Sequence, residues 1–420
     1  MPPQIYQRWQ LNIIKKALLT RRVLILAGPR QCGKTTLAKK LANPDTLYRT
    51  LDDVTLLASA LSDPQGFVHH GNELMIIDEV QRAPGLLQAV KQDVDSINTY
   101  GRFLLTGSTN IQSLPGVTES LAGRVRKIRL RPLAQGEIHN SAPTFIQQAF
   151  SGIFKKLSNK NKPTVSDNKD NYIYLAFRGG YPEALQLIEE KENKRWYKDY
   201  LNALIERDLK EIINIRRQDS IAKLLEVLAA WSSKFIDISG IGSNLSLART
   251  TIESYINALE AMYLVERVRP WSKTDYDRVS KQEKIFMTDT GLMTSILRWQ
   301  FDKVRLNGDM NGKLLETFVF TQLAALIEAQ EDDCQLYHYR DREKREIDFL
   351  LENENGDILG IEVKAGSVVS TDHFKHLKWF REHIAKDRKF IGIVFYTGEN
   401  LVPFGEGLWA VPINFMWLSE

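Results

Sequence analysis

The stretch "GPRQCGKTT" has the residue types and the spacing of a loop that binds a chain of phosphates. Glycines let backbone N–H groups turn toward an anion, and the positive end of the following helix adds to the attraction. Lys34 is predicted to reach the terminal phosphates, and Thr35 to bind Mg²⁺ through its hydroxyl. The predicted nucleotide-binding residues are Gly28, Pro29, Arg30, Gln31, Cys32, Gly33, Lys34, Thr35 and Thr36. The cofactors indicated by this loop are ATP and Mg²⁺.

Two adjacent carboxylates end a second apolar run, "ELMIIDEV". Asp78 is predicted to belong to the nucleotide site and to hold Mg²⁺ through water, and Glu79 is predicted to be the catalytic residue that polarises the attacking water. Buried acids at the end of a strand are costly without a cation, which favours this interpretation. The alternative is a helix N-cap after an ordinary strand.

Small polar residues end a third apolar run, "GRFLLTGSTN". Ser108, Thr109 and Asn110 are candidates for sensing the γ-phosphate, although this composition is equally typical of a turn. Arg124, in "SLAGR", is predicted to contact a phosphate either in the same chain or, as an arginine finger, in a neighbouring subunit. Its alternative is a solvated arginine in a basic strand.

A second group of acids lies in "EIDFLLENENGDILGIEVKAG", which reads as two strands joined by a tight turn. A two-residue turn would place Asp348 opposite Val363, whereas a three-residue loop with a left-handed Gly356 would place Asp348 opposite Glu362. The second register is favoured because it makes one face wholly apolar. That face contains Ile347, Phe349, Leu351, Leu359, Ile361 and Val363.

The favoured register also places Glu346 beside Lys364 on the polar face. Two carboxylates at cross-strand distance repel each other unless a cation or a proton lies between them. Oxygen ligands suit Mg²⁺ or Mn²⁺, so we predict a metal site formed by Glu316, Asp348 and Glu362, with Asp348, Glu362 and Lys364 as catalytic residues. The alternative is an ordinary alternating strand in which Lys364 pairs with Glu346.

Helical patterns connect these two groups of residues. After a polar linker at 157–171, "RWYKDYLNALIERDLKEI" predicts a packed helical connector in which Arg207 and Asp208 are candidates for contacting nucleotide. Residues 216–275 indicate a winged-helix-like module, whose second long helix has a shape that suits the DNA major groove. That helix carries Glu253 and Glu260 beside Arg249, which suits an intramolecular arm better than a phosphate-lined groove.

The order of "GPRQCGKTT", "IIDEVQ", "FLLTGS", "SLAGR" and "PLAQGE" resembles the bacterial and archaeal AAA-type ATPases fused to a C-terminal domain of unknown function. "RGGYPEAL", "TDTGL" and "GKLLETFV" extend the resemblance over almost the whole chain. It implies ATP binding and hydrolysis. The C-terminal segment resembles the PD-(D/E)xK nuclease core, which implies a restriction-endonuclease-like fold.

The predicted fold class is therefore α/β, with four domains in order. They are a P-loop AAA+ ATPase domain with a parallel sheet at 1–140, a linker and helical connector at 141–215, the winged-helix-like module at 216–275 and a nuclease-like domain at 276–420.

Composition limits the partners without identifying them. The chain of 420 residues has 56 basic and 52 acidic side chains, and a net charge of +4 is too small to argue for nucleic-acid binding by itself. Cys32 and Cys334 are too far apart in sequence for a disulfide framework or a zinc site, and no apolar run is long enough to cross a membrane, so we expect a cytoplasmic protein.

The predicted function is a Mg²⁺-dependent ATPase that couples hydrolysis to a nuclease-like domain associated with DNA or RNA. The alternative is an ATP-dependent switch or scaffold that binds a protein partner and has a catalytically inactive nuclease-like domain. The sequence leaves open whether the chain forms a homo-oligomer.

Overall fold

The computed structural model describes residues 4–108, 123–154, 168–208, 218–272 and 282–418, with the backbone alone at 207–208, 218–219 and 243–244. Packing divides the chain into two units. The first comprises Met1–Leu133, Tyr181–Glu183 and Leu259–Leu264, and the second comprises Ala134–Gly180, Ala184–Ala258 and Val265–Glu420. Thr109 and Asn110, and the side chains of Arg207 and Asp208, lie outside what the structure describes.

A sheet of five parallel strands forms the centre of the first unit, in the order β2-β3-β4-β1-β5. Its strands are β1 (Val23–Ala27), β2 (Leu47–Thr50), β3 (Met75–Asp78), β4 (Phe103–Gly107) and β5 (Val125–Arg129). Every residue of β1, β3 and β4 is buried, as expected for parallel strands covered on both faces. Since parallel strands end at the same edge, these three strands carry their polar C-terminal residues to one edge of the sheet.

Alternation along β1 separates two apolar clusters, one on each face of this sheet. Val23 and Ile25 belong to one cluster, and Leu24 and Leu26 belong to the other. The helices of this part of the chain are α1 (Gln10–Leu18), α2 (Lys34–Leu41), α3 (Val54–Ser62), α4 (Pro64–Val68) and α5 (Leu86–Ser96).

The second unit contains a nine-stranded mixed sheet in the order β13-β14-β12-β11-β10-β9-β7-β8-β6. Its strands are β6 (Lys234–Phe235), β7 (Val265–Pro270), β8 (Lys284–Met287), β9 (Cys334–Arg340), β10 (Glu346–Asn353), β11 (Ile358–Lys364), β12 (Phe390–Tyr396), β13 (Val402–Pro403) and β14 (Leu408–Pro412). β9, β10 and β11 are antiparallel neighbours, whereas β11, β12 and β14 are parallel. The predicted α/β class is confirmed by the parallel sheet together with this mixed sheet and its helices.

The remaining helices follow in chain order. They are α6 (Gln135–Ile138), α7 (Phe145–Ser151), α8 (Lys169–Arg178), α9 (Pro182–Gln186), α10 (Glu190–Ala203), α11 (Gln218–Ala230), α12 (Ile238–Leu245), α13 (Arg249–Ala261), α14 (Thr290–Ile296), α15 (Phe301–Leu306), α16 (Gly308–Glu328) and α17 (Lys375–His383). Among the described residues, no helix combines the length and the apolar character that a membrane crossing requires.

The region predicted as a winged helix contains α11, β6, α12, α13 and β7 in chain order. β7 pairs with β8 on one side and with β9 on the other. The predicted boundary between residues 275 and 276 therefore falls between two paired strands of one sheet. The winged-helix interpretation and the four-domain division remain predictions.

The predicted register of the β10–β11 ribbon is confirmed. Phe349 lies opposite Ile361 and Leu351 lies opposite Leu359, and Gly356 has a φ of 77°. On its other side β10 has a bulge, because two residues between Ile347 and Leu350 face a single residue of β9. A bulge changes the direction of the side chains that it contains, and here those residues are Asp348 and Phe349.

Candidate functional site

The loop after β1 has the backbone that the sequence predicted. A side chain at Gly28 would place its Cβ 2.1 Å from the Leu130 carbonyl oxygen, so only glycine fits there. Gln31 and Gly33 have φ angles of 58° and 100°, which turn the loop tightly before α2 begins at Lys34. The Lys34 ammonium is buried and donates to the Pro29 carbonyl at 2.7 Å, so it is held against the loop where a phosphate chain would bind.

The loop and the acidic motif meet at the Asp78 carboxylate. The Thr35 hydroxyl donates to Asp78 at 2.9 Å, which brings together the two residues predicted to bind Mg²⁺. Two more hydroxyls donate to the same carboxylate, from Tyr48 at 2.8 Å and from Thr106. Mg²⁺ prefers oxygen ligands, so these residues fit the predicted ion, which Thr35 and Asp78 would hold. Bound Mg²⁺ would neutralise charge that develops on the phosphates.

Sequence reasoning missed Tyr48 and Thr106. Burial, followed by the hydrogen bond to Asp78, raises the pKa of Tyr48 above its usual range, so its hydroxyl remains a donor. Thr106 lies on β4, one residue before the strand ends, and its hydroxyl also accepts a hydrogen bond from the Glu79 backbone N–H at 3.2 Å. β4 lies between β1 and β3 in the sheet, and that order is not visible in the sequence.

Glu79 is held in a strained backbone conformation beside the candidate sensor. Its φ of 60° and ψ of 45° are left-handed, which is uncommon for a residue with a side chain and is often found at functional positions. The Gln81 amide donates to the Glu79 carboxylate and also to the Ser108 hydroxyl at 3.1 Å. Gln81 therefore links the predicted catalytic residue to the predicted γ-phosphate sensor. In the sequence, its position two residues after Glu79 is the one signal for this role.

Arg8 supports the loop from a segment before α1, and it too was missed. Its guanidinium donates to the carbonyl of Cys32 at 2.9 Å and to the carbonyl of Arg131 at 2.6 Å. Arg8 is 8% exposed. A buried guanidinium with two carbonyl partners fixes the loop relative to the chain that follows β5.

Arg124 does not lie with these residues. It directly precedes β5, whose first residue, Val125, is level with Val23 at the start of β1. Strands rise about 3.3 Å per residue, so the length of β1 places Arg124 more than about 15 Å from the phosphate loop. Its guanidinium instead pairs with Asp95 at the end of α5, with one contact of 3.1 Å. This placement argues against the predicted phosphate contact within one chain, and the contact with a neighbouring subunit remains a prediction.

A second cluster of charges lies in the second unit. Lys284 of β8 contacts Glu316 of α16 at 3.1 Å and Asp348 of β10 at 3.5 Å. Lys364 contacts Glu362 at 2.8 Å, both on β11. The predicted acids therefore do come together, but each has a lysine partner, and sequence reasoning missed Lys284.

One predicted contact in this cluster differs from the structure. Glu346 pairs with Arg340 at 3.1 Å, not with Lys364, because antiparallel pairing with β9 places Arg340 directly opposite. Asp348 accepts a hydrogen bond from the Val363 backbone N–H at 2.9 Å. Within the described part of the chain, no group of three or more His, Cys, Asp or Glu side chains is arranged to hold a metal ion.

Burial and charge shift the protonation of this cluster. Burial raises the pKa of Glu316 to about 7, against the attraction of Lys284. Burial and then the Asp348 charge raise the pKa of Glu362 to about 8. Burial also acts to lower the pKa of Lys284 and of Lys364, but the neighbouring carboxylates outweigh it and hold both pKa values above the usual one. Both lysines are therefore cations at neutral pH.

Comparisons with known proteins support the assignment of the first site. A family model described as an AAA domain matches residues 20–139, and two domains of unknown function, DUF8612 and DUF4143, match residues 169–303 and 311–416. An uncharacterised protein of Mycobacterium tuberculosis is 27% identical over 96% of this chain and 82% of its own length. One of Methanocaldococcus jannaschii is 24% identical over 93% of this chain and 88% of its own.

Two solved structures are similar in part. One is a signal transduction ATPase with numerous domains, with a tetratricopeptide repeat sensor, from Pyrococcus horikoshii. It has a TM-score of 0.25 and 15% identity over 78% of this chain. The matched region is 47% of the length of that protein, so this chain spans about half of it. RuvB of Thermotoga maritima has a TM-score of 0.28 and 20% identity over 63% of this chain and 90% of its own. The AAA-domain match at residues 20–139 and the phosphate-loop geometry together support an ATP-binding P-loop ATPase domain in this chain.

Proposed function

We propose that this protein is a Mg²⁺-dependent ATPase in which Lys34, Thr35, Asp78 and Glu79 bind and hydrolyse ATP. The observation that carries the proposal is the 2.9 Å hydrogen bond between Thr35 and Asp78, because it joins two motifs that are 43 positions apart in the sequence. Glu79 lies next to this pair, where it would orient the attacking water. Arg8, Tyr48 and Gln81 support these groups.

Steady-state hydrolysis of ATP tests the proposal. Lys34→Ala should abolish ATP binding, because it removes the ammonium that meets the terminal phosphates. Glu79→Gln should retain ATP binding and lower kcat by about 10²–10⁴-fold, the usual contribution of a general base. Lys40→Ala is the matched control, since Lys40 is an exposed lysine on the same helix. Wild-type rates in Glu79→Gln would contradict the assignment of the base.

We further propose that the nucleotide state is coupled to nucleic-acid binding by the C-terminal domain. The order α16, β9, β10, β11, α17 and β12 supports a nuclease-like core, in which Asp348 belongs to β10 and Glu362 and Lys364 belong to β11. α17 carries the exposed Lys375 and Lys378, which suit phosphates.

Binding of labelled DNA and RNA tests this coupling. Lys375→Glu combined with Lys378→Glu should weaken binding and reduce its dependence on salt concentration, because fewer counterions are released. Lys15→Glu with Lys303→Glu changes the same charge at exposed positions elsewhere and should leave binding unchanged. Binding that is equal in both double variants would contradict the proposed surface.

A second candidate function is an ATP-dependent switch that binds a protein partner. It is favoured by the Arg249–Glu253 pair at 2.9 Å on α13, because this pair neutralises a cation on the helix that would read DNA. The discriminating measurement is the ATPase rate with single-stranded DNA, double-stranded DNA and RNA. Stimulation by any of them supports nucleic-acid coupling, and an unchanged rate with all three supports the protein-partner switch.

A further inference from the structure

Lys284 occupies an unusual position for a lysine. It belongs to β8, a strand that is paired on both sides, and it is level with Val268 of β7 and Phe235 of β6. Only 3% of its surface is exposed. Because both edges of β8 are hydrogen-bonded, the backbone of Lys284 cannot move away without breaking two strand pairs. These two pairings therefore fix the position of the Lys284 backbone within the second unit.

The surroundings of Lys284 direct its ammonium toward two acids. Phe286, two residues further along β8 and on the same face, stacks on Phe320 of α16 with ring centroids 4.4 Å apart. Glu316 lies one helical turn before Phe320 on the same side of α16. The same packing that buries the two rings therefore brings Lys284 to Glu316, at 3.1 Å.

The second acid reaches Lys284 through the β10 bulge. The extra residue in β10 lies at Asp348–Phe349, so the bulge changes the direction of the Asp348 side chain. One carboxylate oxygen of Asp348 lies 3.5 Å from the Lys284 ammonium, and the other accepts from the Val363 N–H at 2.9 Å. Both oxygens of Asp348 thus have partners supplied by the chain itself.

These contacts disagree with the metal site predicted from the sequence. A divalent cation in such a site would bind carboxylate oxygens directly, at about 2.0–2.6 Å. Here a buried ammonium already lies between Glu316 and Asp348, and a second ammonium, that of Lys364, holds Glu362. A divalent ion placed among these acids would meet strong repulsion from Lys284 in a site with little water to screen it.

We propose that the Lys284 ammonium occupies the place between Glu316 and Asp348 that a nuclease would give to a divalent metal ion, so that this site is held together without a metal. The proposal rests on the nuclease-like interpretation of the segment from α16 to β12 and is independent of the ATPase. The C-terminal domain then binds its partner through surface charge and shape, and metal-dependent phosphodiester cleavage is not part of its function.

Titration of the full-length chain with Mn²⁺ tests the proposal, followed by electron paramagnetic resonance of the free ion. The experiment uses nucleotide-free protein carrying Asp78→Asn, so that the ATPase site contributes no carboxylate ligand. This background protein should show no Mn²⁺ binding that depends on Asp348. Adding Lys284→Met, which keeps the length and removes the charge, should create a Mn²⁺ site, and adding Asp348→Asn as well should remove it. Lys386→Met, at an exposed lysine, is the matched control and should behave as the background.

Two results would overturn the proposal. One is Mn²⁺ binding by the background protein that Asp348→Asn abolishes, since the ammonium would then not exclude the ion. The other is a folded Lys284→Met variant that gains no Mn²⁺ site, since the ammonium would then not occupy a metal position. If circular dichroism shows that Lys284→Met is unfolded, Mn²⁺ binding by the background protein that Asp348→Asn abolishes still overturns the proposal.

Thermal unfolding provides a second readout. Mn²⁺ should leave the Tm of the background protein unchanged and should raise the lowered Tm of Lys284→Met, because only the variant binds the ion. A Tm of the background protein that rises with Mn²⁺ and ceases to rise in Asp348→Asn would contradict the proposal. Hydrolysis of ATP by the chain with Asp78 intact is measured separately, so failure of the ATPase proposal remains distinguishable from failure of this one.

Discussion

Asp78 lies at the centre of the nucleotide site, because side chains from three elements donate hydrogen bonds to its carboxylate. Hydroxyls from β2, from the phosphate loop and from β4 donate to it, and the most distant in sequence is 43 positions away. A carboxylate with three hydroxyl donors is held in one orientation before any ion binds. Such preorganisation reduces the rearrangement needed when Mg²⁺ and ATP arrive.

Tyr48→Phe removes one of these donors and little else. We expect kcat for ATP hydrolysis to fall by about 10- to 100-fold, because one hydrogen bond to a charged group contributes about 1.5–3 kcal/mol, here to positioning Asp78. The measurement is kcat and KM with Mg²⁺ and ATP, and Tyr100→Phe, at a tyrosine that is 63% exposed, is the control. An unchanged kcat would show that the Tyr48 hydroxyl does not position Asp78.

Gln81→Leu removes the amide that joins Glu79 to Ser108 and keeps a side chain of similar size. We expect kcat to fall by about tenfold while the affinity for ATP stays constant, because a bond of about 1.4 kcal/mol would be lost from the positioning of the base. Binding of a fluorescent ATP analogue and steady-state hydrolysis together separate the two effects. A faster variant would show instead that Gln81 restrains Glu79.

The raised pKa of Glu362, about 8, predicts a dependence of stability on pH. An unfolded glutamate ionises near its ordinary pKa of about 4.3, so between there and pH 8 the folded state holds a proton that the unfolded state releases. The free energy of unfolding should therefore decrease as pH rises through this window and level off above it. Glu362→Gln should flatten the curve between pH 5 and pH 8, as measured by urea unfolding. A curve as steep as that of the wild type would show that Glu362 does not titrate there.

At the scale of elements, local alternation correctly predicts the pairing of β10 with β11. The β10–β11 register follows from matching apolar faces, and the left-handed Gly356 allows the three-residue loop. The bulge in β10 was not foreseen, because it depends on how β9 packs against the other edge of the strand. That bulge directs Asp348 toward Lys284, so a local irregularity alters the chemistry of the cluster.

The motifs "RGGYPEAL" and "TDTGL" pack three helices of the second unit against one another. The buried Asp289 accepts hydrogen bonds from the backbone N–H groups of Leu292 and Gly180. A Cβ at Gly179 or at Gly291 would come within 2.3 to 2.5 Å of the Tyr197 hydroxyl. These residues therefore join α8, α10 and α14 and do not require a ligand.

The buried pair of Asp93 and Arg102 connects α5 to the start of β4. The two guanidinium contacts are 2.8 Å and 2.6 Å, and both residues are buried. Asp93→Ala should lower the free energy of unfolding by about 3–5 kcal/mol, because it leaves an unpaired buried guanidinium. Asp95→Ala, which breaks the more exposed pair with Arg124, is the control and should cost about 0–1 kcal/mol. Chemical denaturation measures both, and equal losses would contradict this reading of the buried pair.

At the scale of the whole molecule, the chain carries two charged sites in two separately packed units. The nucleotide site belongs to the first unit, and the cluster around Lys284 belongs to the second. The proposed function requires that nucleotide bound in the first unit influences nucleic-acid binding by the C-terminal domain in the second.

Amide hydrogen exchange tests this coupling directly. In Glu79→Gln, which should hold ATP without hydrolysing it, we expect Mg²⁺ and ATP to change the protection of amides in the second unit as well as in the phosphate loop. The control is the same protein with Lys34→Ala added, which should not bind ATP and should show no change. Protection that changes in the first unit alone would contradict the coupling.

The sequence by itself determined the nucleotide loop, the acidic strand end, the α/β class and the register of the ribbon. Each of these depends on residues that are close in sequence, or on an apolar alternation that a shift of one residue would destroy. Only the tertiary structure decided the partners of Asp78, the distance of Arg124 from the phosphate loop and the burial of Lys284 between two acids. Those contacts depend on the order of strands in the sheets and on a bulge in β10, and no local pattern of residues specifies either.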